Sequence, residues 1–284
     1  MYHGVRLSLD AKSLWLEGMK NWEGNLPARM TDDSLEEKFW NQFIQEKSNR
    51  KEPDKYVADI CEELLALMHP EDEVLEIGPG WGNYTFAAAG KTSALTCVDS
   101  SSSVLGYLEK EAHAKGLANM SFVHAKWEEY SSPKSYDVVF GVNCYYRMQE
   151  IDQALIHMNN TARRLAVIGM TSGPEKPHYW EIYEELGYRI RFARRDYINL
   201  TNLLYELGID VNCKILDLQK TYVYESEEEF VDQNLRAIME PDYDRGKVEE
   251  ILRKYLEWVD GKPAYVHRFK AALLYWKPER KIGR

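Results

Sequence analysis

Three alternating glycines and two acidic residues form the pattern with the clearest chemical content in this sequence. Gly78, Gly80 and Gly82 follow an apolar run that contains Glu76. Glycines at alternate positions allow a sharp turn and leave bare backbone close to a ligand. Asp99 ends the next apolar run, 17 residues after Gly82, where a carboxylate can accept hydrogen bonds from both hydroxyls of a ribose. The pattern indicates a nucleoside ligand without a 2′-phosphate.

Other glycine-rich motifs fit this turn less well. The dinucleotide fingerprint is GxGxxG, whereas the spacing here is Glu-x-Gly-x-Gly-x-Gly. The lysine of a nucleotide triphosphate loop is absent, which argues against that ligand. For the glycines alone, a tight strand-to-helix turn without a ligand is the alternative.

The elements around the turn alternate between strands and helices. Apolar runs predict strands at 73–77, 94–98, 121–124, 137–142 and 165–170, with a helix at about 84–89 and further helical segments between the later runs. Five such runs indicate a parallel sheet covered by helices on both faces. Beyond residue 170, the pattern predicts strands at 211–224 and 264–276 and helices at 179–186, 197–207, 226–239 and 244–259.

The first 50 residues predict a helical appendage. Ser34 and Glu37 have capping-box spacing, and Phe39 and Trp40 lie on one side of the helix that would follow, up to about Gln45. After a polar break, apolar residues with helical spacing from Val57 onward predict a helix that must pack on another apolar surface.

From about residue 54 to residue 170 the chain resembles the class I S-adenosylmethionine-dependent methyltransferases. The resemblance implies an α/β fold with a doubly wound, mostly parallel seven-stranded sheet of order 3-2-1-4-5-7-6, in which strand 7 is antiparallel. It makes 211–224 strand 6 and 264–276 strand 7. We expect an N-terminal helical cap at 1–53 and a Rossmann-like methyltransferase domain at 54–284. Helical insertions would follow strands 5 and 6, at about 171–195 (lid-like) and about 226–260.

The resemblance also implies roles for the glycine turn and its neighbours. The three glycines would lie under the methionine part of S-adenosylmethionine, Glu76 would orient it, and Asp99 would bind the ribose. Lys126 stands where the family usually has an acid that accepts from the adenine amine, and lysine only donates. Either Glu128 replaces that acid, or backbone and Trp127 hold the adenine. The expected cofactor-binding set is Glu76, Gly78, Gly80, Gly82, Asp99, Ser100, Lys126, Trp127, Asn143 and Trp40.

The acceptor side is less constrained, because methyl transfer needs alignment and uses a base only if the nucleophile carries a proton. The candidates for the catalytic site are Tyr145, Tyr146 and Arg147 after strand 4, with His178 from the insertion. A closed, aromatic-lined cavity would result, with Trp40 and the 178–183 helix above it. Packing in the core is the alternative for these aromatic residues. Four arginines at 189, 191, 194 and 195 suggest either an anionic substrate or a half-exposed strand.

Composition limits the function classes. The chain has 36 basic and 46 acidic residues, a formal charge of −10, which argues against a nucleic-acid partner. The four cysteines are dispersed, and neither they nor the histidines have metal-ligand spacing. The first 20 residues are charged, and no apolar run in the sequence is long enough for a membrane span. We therefore expect a cytoplasmic monomer or homodimer without a metal, and methyl transfer to a small molecule. The alternatives are a protein or RNA acceptor and a non-catalytic cofactor-binding module.

Overall fold

A mixed eight-stranded sheet lies at the centre of the part of the chain described by the computed structural model, residues 10–47, 54–173, 175–191 and 197–283. Its strands are β1 Glu73–Ile77, β2 Ala94–Asp99, β3 Met120–His124, β4 Tyr136–Val142, β5 Ala162–Ser172, β6 Asn212–Val223, β7 Glu257–Val259 and β8 Lys262–Trp276. The order is β3-β2-β1-β4-β5-β8-β6, with β7 paired to β8. Strands β1 to β5 pair in parallel, and β8 is antiparallel to β5, β6 and β7. The predicted order is confirmed, with β8 as the predicted strand 7.

Helices cover both faces of the sheet. They are α1 Ala11–Gly18, α2 Ala28–Thr31, α3 Asp33–Lys47, α4 Lys55–Leu65, α5 Thr85–Lys91, α6 Ser102–Ala114, α7 Ile151–Thr161, α8 Pro177–Leu186, α9 Tyr197–Glu206, α10 Glu227–Leu235 and α11 Arg245–Arg253. Successive strand residues point to opposite faces, so Val138 and Phe140 join one core with α4 and α5, while Val139 joins another with α1, α7 and α9. In the described ranges no helix has the length and hydropathy needed to cross a lipid bilayer.

The N-terminal helices are attached to the domain in two ways. In α1, Trp15 is fully buried in the same core as α7, and its indole nitrogen donates to the Met148 carbonyl at 2.8 Å. In α3, Glu37 accepts hydrogen bonds at the start of α6. Residues 1–9 and 48–53 of the predicted cap lie outside the described residues.

Two local predictions are wrong. Helix α3 is capped by Asp32, whose Oδ1 accepts from the backbone nitrogens of Ser34 (2.8 Å) and Leu35 (3.2 Å), so Ser34 is not the cap. The helix predicted to run to residue 259 ends at Arg253, and β7 then forms a hairpin with β8 around Gly261, which has a φ of 76°.

Candidate cofactor and acceptor site

The glycine turn after β1 has a backbone conformation that side chains tolerate poorly. The φ angles of Gly78, Gly80 and Gly82 are 58°, 55° and 89°, all in the left-handed region that favours glycine. A Cβ atom on Gly78 would lie 2.5 Å from the Cβ atom of Cys144, and one on Gly80 would lie 3.1 Å from the Trp40 ring. Both the backbone conformation and the neighbouring side chains of Cys144 and Trp40 therefore favour glycine at Gly78 and Gly80.

A cavity of about 530 Å³ opens above this turn, where β1, β2 and β4 end, and α3 forms its opposite wall. Parallel sheets commonly bind ligands at this edge. Of the predicted site residues, the cavity lining brings together Glu76, Gly78, Gly80, Asp99, Ser100, Lys126, Trp127, Asn143, Trp40, Tyr146 and Arg147. Gly82, Tyr145 and His178 are not part of the lining.

Two buried carboxylates face the cavity. Glu76 is 2% exposed, and its Oε2 atom has no hydrogen-bond partner among the described residues. Burial raises the pKa of Glu76 to about 8. Asp99 is 7% exposed and accepts from the Ser101 backbone nitrogen at 2.8 Å. Burial raises the pKa of Asp99 to about 6, and the charge of Glu36 adds to the effect. These two groups suit a ligand that brings positive charge and hydroxyl donors.

Glu36 on α3 is a third buried carboxylate of the cavity, and the sequence analysis did not identify it. Its side chain accepts from Arg29 Nε at 2.8 Å, from Trp40 Nε1 at 2.9 Å and from the Tyr146 hydroxyl. Glu36 is 2% exposed. The sequence contains one relevant signal, the i, i+4 spacing that places Glu36 beside Trp40 on one helix face.

Acidic residues of α3 fasten the helix over the cavity. Asp33 pairs with Lys126 and with Arg147, each at 2.7 Å. Glu37 accepts from Ser102 Oγ and from the Ser103 backbone nitrogen, both at 2.9 Å. Although burial opposes it, hydrogen bonds from serines at the start of α6 lower the pKa of Glu37 to about 2. The helix thus connects the loops that follow β2, β3 and β4.

Lys126 and Trp127, which the sequence analysis assigned to the adenine side of the cavity, both have partners within the protein. Lys126 forms an ion pair with Asp33. Trp127 is 3% exposed, its indole nitrogen donates to the Ala154 carbonyl at 3.0 Å, and its ring stacks on His157 with 4.0 Å between ring centroids. The indole nitrogen and one ring face are therefore used within the core.

Asn143 forms the wall of the cavity after β4. It has a φ of 54°, a conformation that asparagine tolerates better than most residues. Its Oδ1 atom accepts from the backbone nitrogen of Thr171 at 2.8 Å and from the Thr171 hydroxyl at 3.1 Å. The side-chain oxygen thus fixes the end of β4 against the end of β5.

Two of the predicted acceptor residues lie in the core instead. Tyr145 is 1% exposed, and its hydroxyl donates to the Gly141 carbonyl at 3.3 Å. His178 is fully buried, and its Nε2 atom lies 3.0 Å from Asn234 Oδ1. Burial lowers the pKa of His178 to about 3. The reason is the direction of α8, which turns His178 toward α10 and the β8 residue Tyr265.

The described part of the predicted lid does not line the cavity. Helix α8 packs on α11, α10 and the ends of β6 and β8 in a separate core, and Trp180 is 40% exposed. In the arginine cluster, Arg189 pairs with Glu240 at 2.8 Å, while Arg194 and Arg195 lie outside the described residues. Among the described residues, the cavity is lined by α3 of the N-terminal cap and not by the lid-like insertion at about 171–195.

Comparisons with known proteins agree with this geometry. Residues 74–166 match the methyltransferase domain family. No curated protein matches the sequence. Among solved structures, YcgJ from Bacillus subtilis is 16% identical, with 78% of this chain and 97% of that chain covered and a TM-score of 0.53. A proposed methyltransferase from Bacillus halodurans is 16% identical, with 79% and 99% covered and a TM-score of 0.53.

A third solved structure with this fold was determined with ligands. It is the Haemonchus contortus phosphoethanolamine N-methyltransferase 2, in complex with phosphomonomethylethanolamine and S-adenosylhomocysteine. It is 14% identical, with 89% of this chain and 58% of that chain covered and a TM-score of 0.50. At these identities the three structures show a common fold, and the domain match covers the glycine turn and Asp99. Over residues 74–166 this chain matches the methyltransferase domain family, and its fold is that of the solved structures.

Proposed function

We propose that this protein transfers the methyl group of S-adenosylmethionine to a small molecule held in the cavity under α3. The main support is the size of the cavity and the position of α3 across it. Its volume of about 530 Å³ lies in the range of small-molecule sites, and Asp33, Glu36 and Glu37 fasten α3 across it.

The residues of the cavity fit this cofactor. The free oxygen of Glu76 can accept from the cofactor's ammonium group, and the positive charge would offset the cost of ionising a buried acid. Asp99 keeps acceptor capacity for the ribose hydroxyls, since the described bond from Ser101 uses only its Oδ1 atom. The cofactor, when bound, supplies a methyl group activated by a sulfonium.

The protein's own contribution is alignment and exclusion of water. Trp40 and Phe43 of α3 form an aromatic group at the cavity with Trp81 of the glycine turn. The ring centroids are 5.5 Å apart between Trp40 and Phe43 and 6.1 Å apart between Phe43 and Trp81. An apolar wall of this kind excludes water from a displacement and holds the acceptor in line. The proposed role of the cap, residues 1–53, is therefore closure over residues 54–284.

The remaining features of the proposal follow from composition and fold. The formal charge of −10 disfavours RNA as the acceptor, and the phosphoethanolamine N-methyltransferase shows that this fold is compatible with a small acceptor. We propose a cytoplasmic protein, either monomer or homodimer, that needs no metal for this chemistry.

Transfer of radioactive methyl groups tests the proposal. The full chain is incubated with methyl-labelled S-adenosylmethionine and an extract of its source cells, which is then separated by ultrafiltration into molecules below and above 3 kDa. We expect label in the small-molecule fraction, and none with the Gly80→Val variant. Label confined to protein or nucleic acid would contradict the proposal, and cofactor binding without any transfer would favour a non-catalytic module.

A further inference from the structure

Tyr146 and Glu36 form a hydrogen-bonded pair that faces the cavity from two separate parts of the chain. Tyr146 lies in the 3-10 turn that follows β4, and Glu36 lies on α3, 110 residues earlier. The Tyr146 hydroxyl donates to Glu36 Oε1, and both residues line the cavity. The pair exists only because α3 docks over the end of β4.

The surroundings of Glu36 fix its position. Arg29 donates to Oε2 and Trp40 donates to Oε1, so both carboxylate oxygens are held. The guanidinium of Arg29 lies 3.4 Å from the centroid of the Phe39 ring, which fixes the cation in turn. Together with the Tyr146 hydroxyl, these donors hold the Glu36 carboxylate in one orientation.

Tyr146 is suited to pass on a proton rather than to lose one permanently. Burial, together with its hydrogen bond to Glu36, raises the pKa of Tyr146 well above its ordinary value. The phenol therefore keeps its proton in the resting protein and directs it at Glu36. Its oxygen retains lone pairs that can accept a hydrogen bond from a ligand in the cavity.

The pair lies between the two parts of the chain proposed to hold the cofactor. Trp40, which is bonded to Glu36, contacts the glycine turn at Gly80. On the other side, Glu36 lies close enough to Asp99 for its negative charge to raise the pKa of Asp99. A group held by the turn at one end and by Asp99 at the other would have its middle, the sulfonium, in front of Glu36 and Tyr146.

The charges of the lining favour an acceptor that carries positive charge. Seven carboxylates and three cationic side chains line the cavity. All three cations are paired with acids: Lys126 and Arg147 with Asp33, and Lys220 with Asp54 at 2.7 Å. Aromatic rings such as Trp40 add a further preference for an ammonium group.

We infer that Tyr146 and Glu36 receive the proton of an amine acceptor during methyl transfer, an inference that rests on the proposed function. The acceptor binds as an ammonium, and one N–H proton passes to Tyr146 Oη while the phenolic proton passes to Glu36. The neutral amine nitrogen then forms its bond to the methyl carbon as the carbon–sulfur bond breaks and its electron pair remains on sulfur, and the product leaves as the methylated ammonium. Solvent takes the proton from Glu36 when α3 opens.

Comparison of two ligands tests this inference without knowledge of the acceptor. Sinefungin has a carbon bearing an amino group where S-adenosylhomocysteine has sulfur, so it places an ammonium group where the methyl group is transferred. By calorimetry on the full chain, we expect sinefungin to bind at least tenfold more tightly than S-adenosylhomocysteine. In Glu36→Gln and Tyr146→Phe this ratio should fall toward one, with affinity for S-adenosylhomocysteine within threefold of wild type.

The control is Glu37→Gln, which changes the neighbouring carboxylate of α3 that bonds to α6 instead of facing the cavity. A residue with a structural role alone affects the affinities for sinefungin and S-adenosylhomocysteine equally. Glu37→Gln should therefore keep the preference for sinefungin. Equal affinities of the wild type for the two ligands would overturn the inference, and so would a preference that survives in both Glu36→Gln and Tyr146→Phe. No binding of either ligand to folded wild type would instead overturn the proposed function.

Discussion

Replacing Glu76 with glutamine should stabilise the ligand-free protein, by an amount that grows with pH. The Glu76 side chain is buried with one oxygen unpartnered, and its pKa is raised to about 8 from 4.5. The folded state therefore binds this proton more tightly than the unfolded state does. The stability that this proton provides is fully present below pH 4.5 and is lost as the pH rises to about 8. Glutamine has nearly the same shape and no charge, so it avoids the loss.

The size of the effect follows from the two proton affinities. Each tenfold difference in proton affinity corresponds to about 1.4 kcal/mol. For a group with a pKa of 4.5 in the unfolded chain and about 8 in the fold, the free energy of unfolding falls by about 4 kcal/mol between pH 5 and pH 8.5. This exceeds a third of the stability of many domains.

Urea denaturation of wild type and Glu76→Gln at pH 5, 7 and 8.5 measures the effect. The difference between the two proteins at each pH cancels the contributions of other groups, including Asp99, whose pKa is also raised. We expect the variant's advantage to increase by about 4 kcal/mol over this range, and its affinity for S-adenosylhomocysteine to fall at least tenfold. A difference that is the same at all three pH values would refute the burial of an uncompensated acid.

Four further substitutions, the first with a control variant, separate the parts of the site. Gly80→Ala strains a residue with a φ of 55° and should lower the affinity for S-adenosylhomocysteine at least tenfold in calorimetry, whereas Gly90→Ala, at an open helical position, should leave it unchanged. Asp99→Ala removes charge-assisted hydrogen bonds worth about 1.5 to 3 kcal/mol each, so the same Kd should rise tenfold or more; an unchanged Kd would mean that the ribose is held elsewhere. Asp33→Ala removes ion pairs of an exposed carboxylate, which contribute about 0 to 1 kcal/mol to stability, but it should speed dissociation of S-adenosylhomocysteine several-fold in stopped-flow experiments; an unchanged rate would show that α3 does not hold the ligand in. His178→Ala should cost about 2 to 4 kcal/mol of stability and leave cofactor affinity intact. Unchanged stability with a reduced cofactor affinity would instead place His178 in the site.

The sheet could be predicted because its signals are local. Each of the first five strands is a short apolar run followed by a turn or helix, and the glycine turn with Asp99 lies directly at strand ends. Residues at the ends of neighbouring parallel strands must meet at one edge, so most of the expected cofactor residues line one cavity. Strand β7 escaped prediction because its three residues follow the helical apolar spacing of α11 without an obvious break.

The acceptor side could not be predicted because it depends on docking. Glu36 and Tyr146 are 110 residues apart, and no local pattern states that α3 crosses the end of β4. Aromatic residues at helical spacing look the same whether they cover a cavity or pack in a core. In α8 they pack against α10 and α11, and in α3 Trp40 lies over the glycine turn.

Isothermal titration of the full chain with S-adenosylhomocysteine, beside the Gly80→Val variant, is the decisive experiment for the cofactor site. We expect saturable one-to-one binding to wild type and none to the variant, with both proteins folded by circular dichroism. Absence of binding to folded wild type, or equal binding to both proteins, would contradict the assignment of the glycine turn and Asp99 to this cofactor.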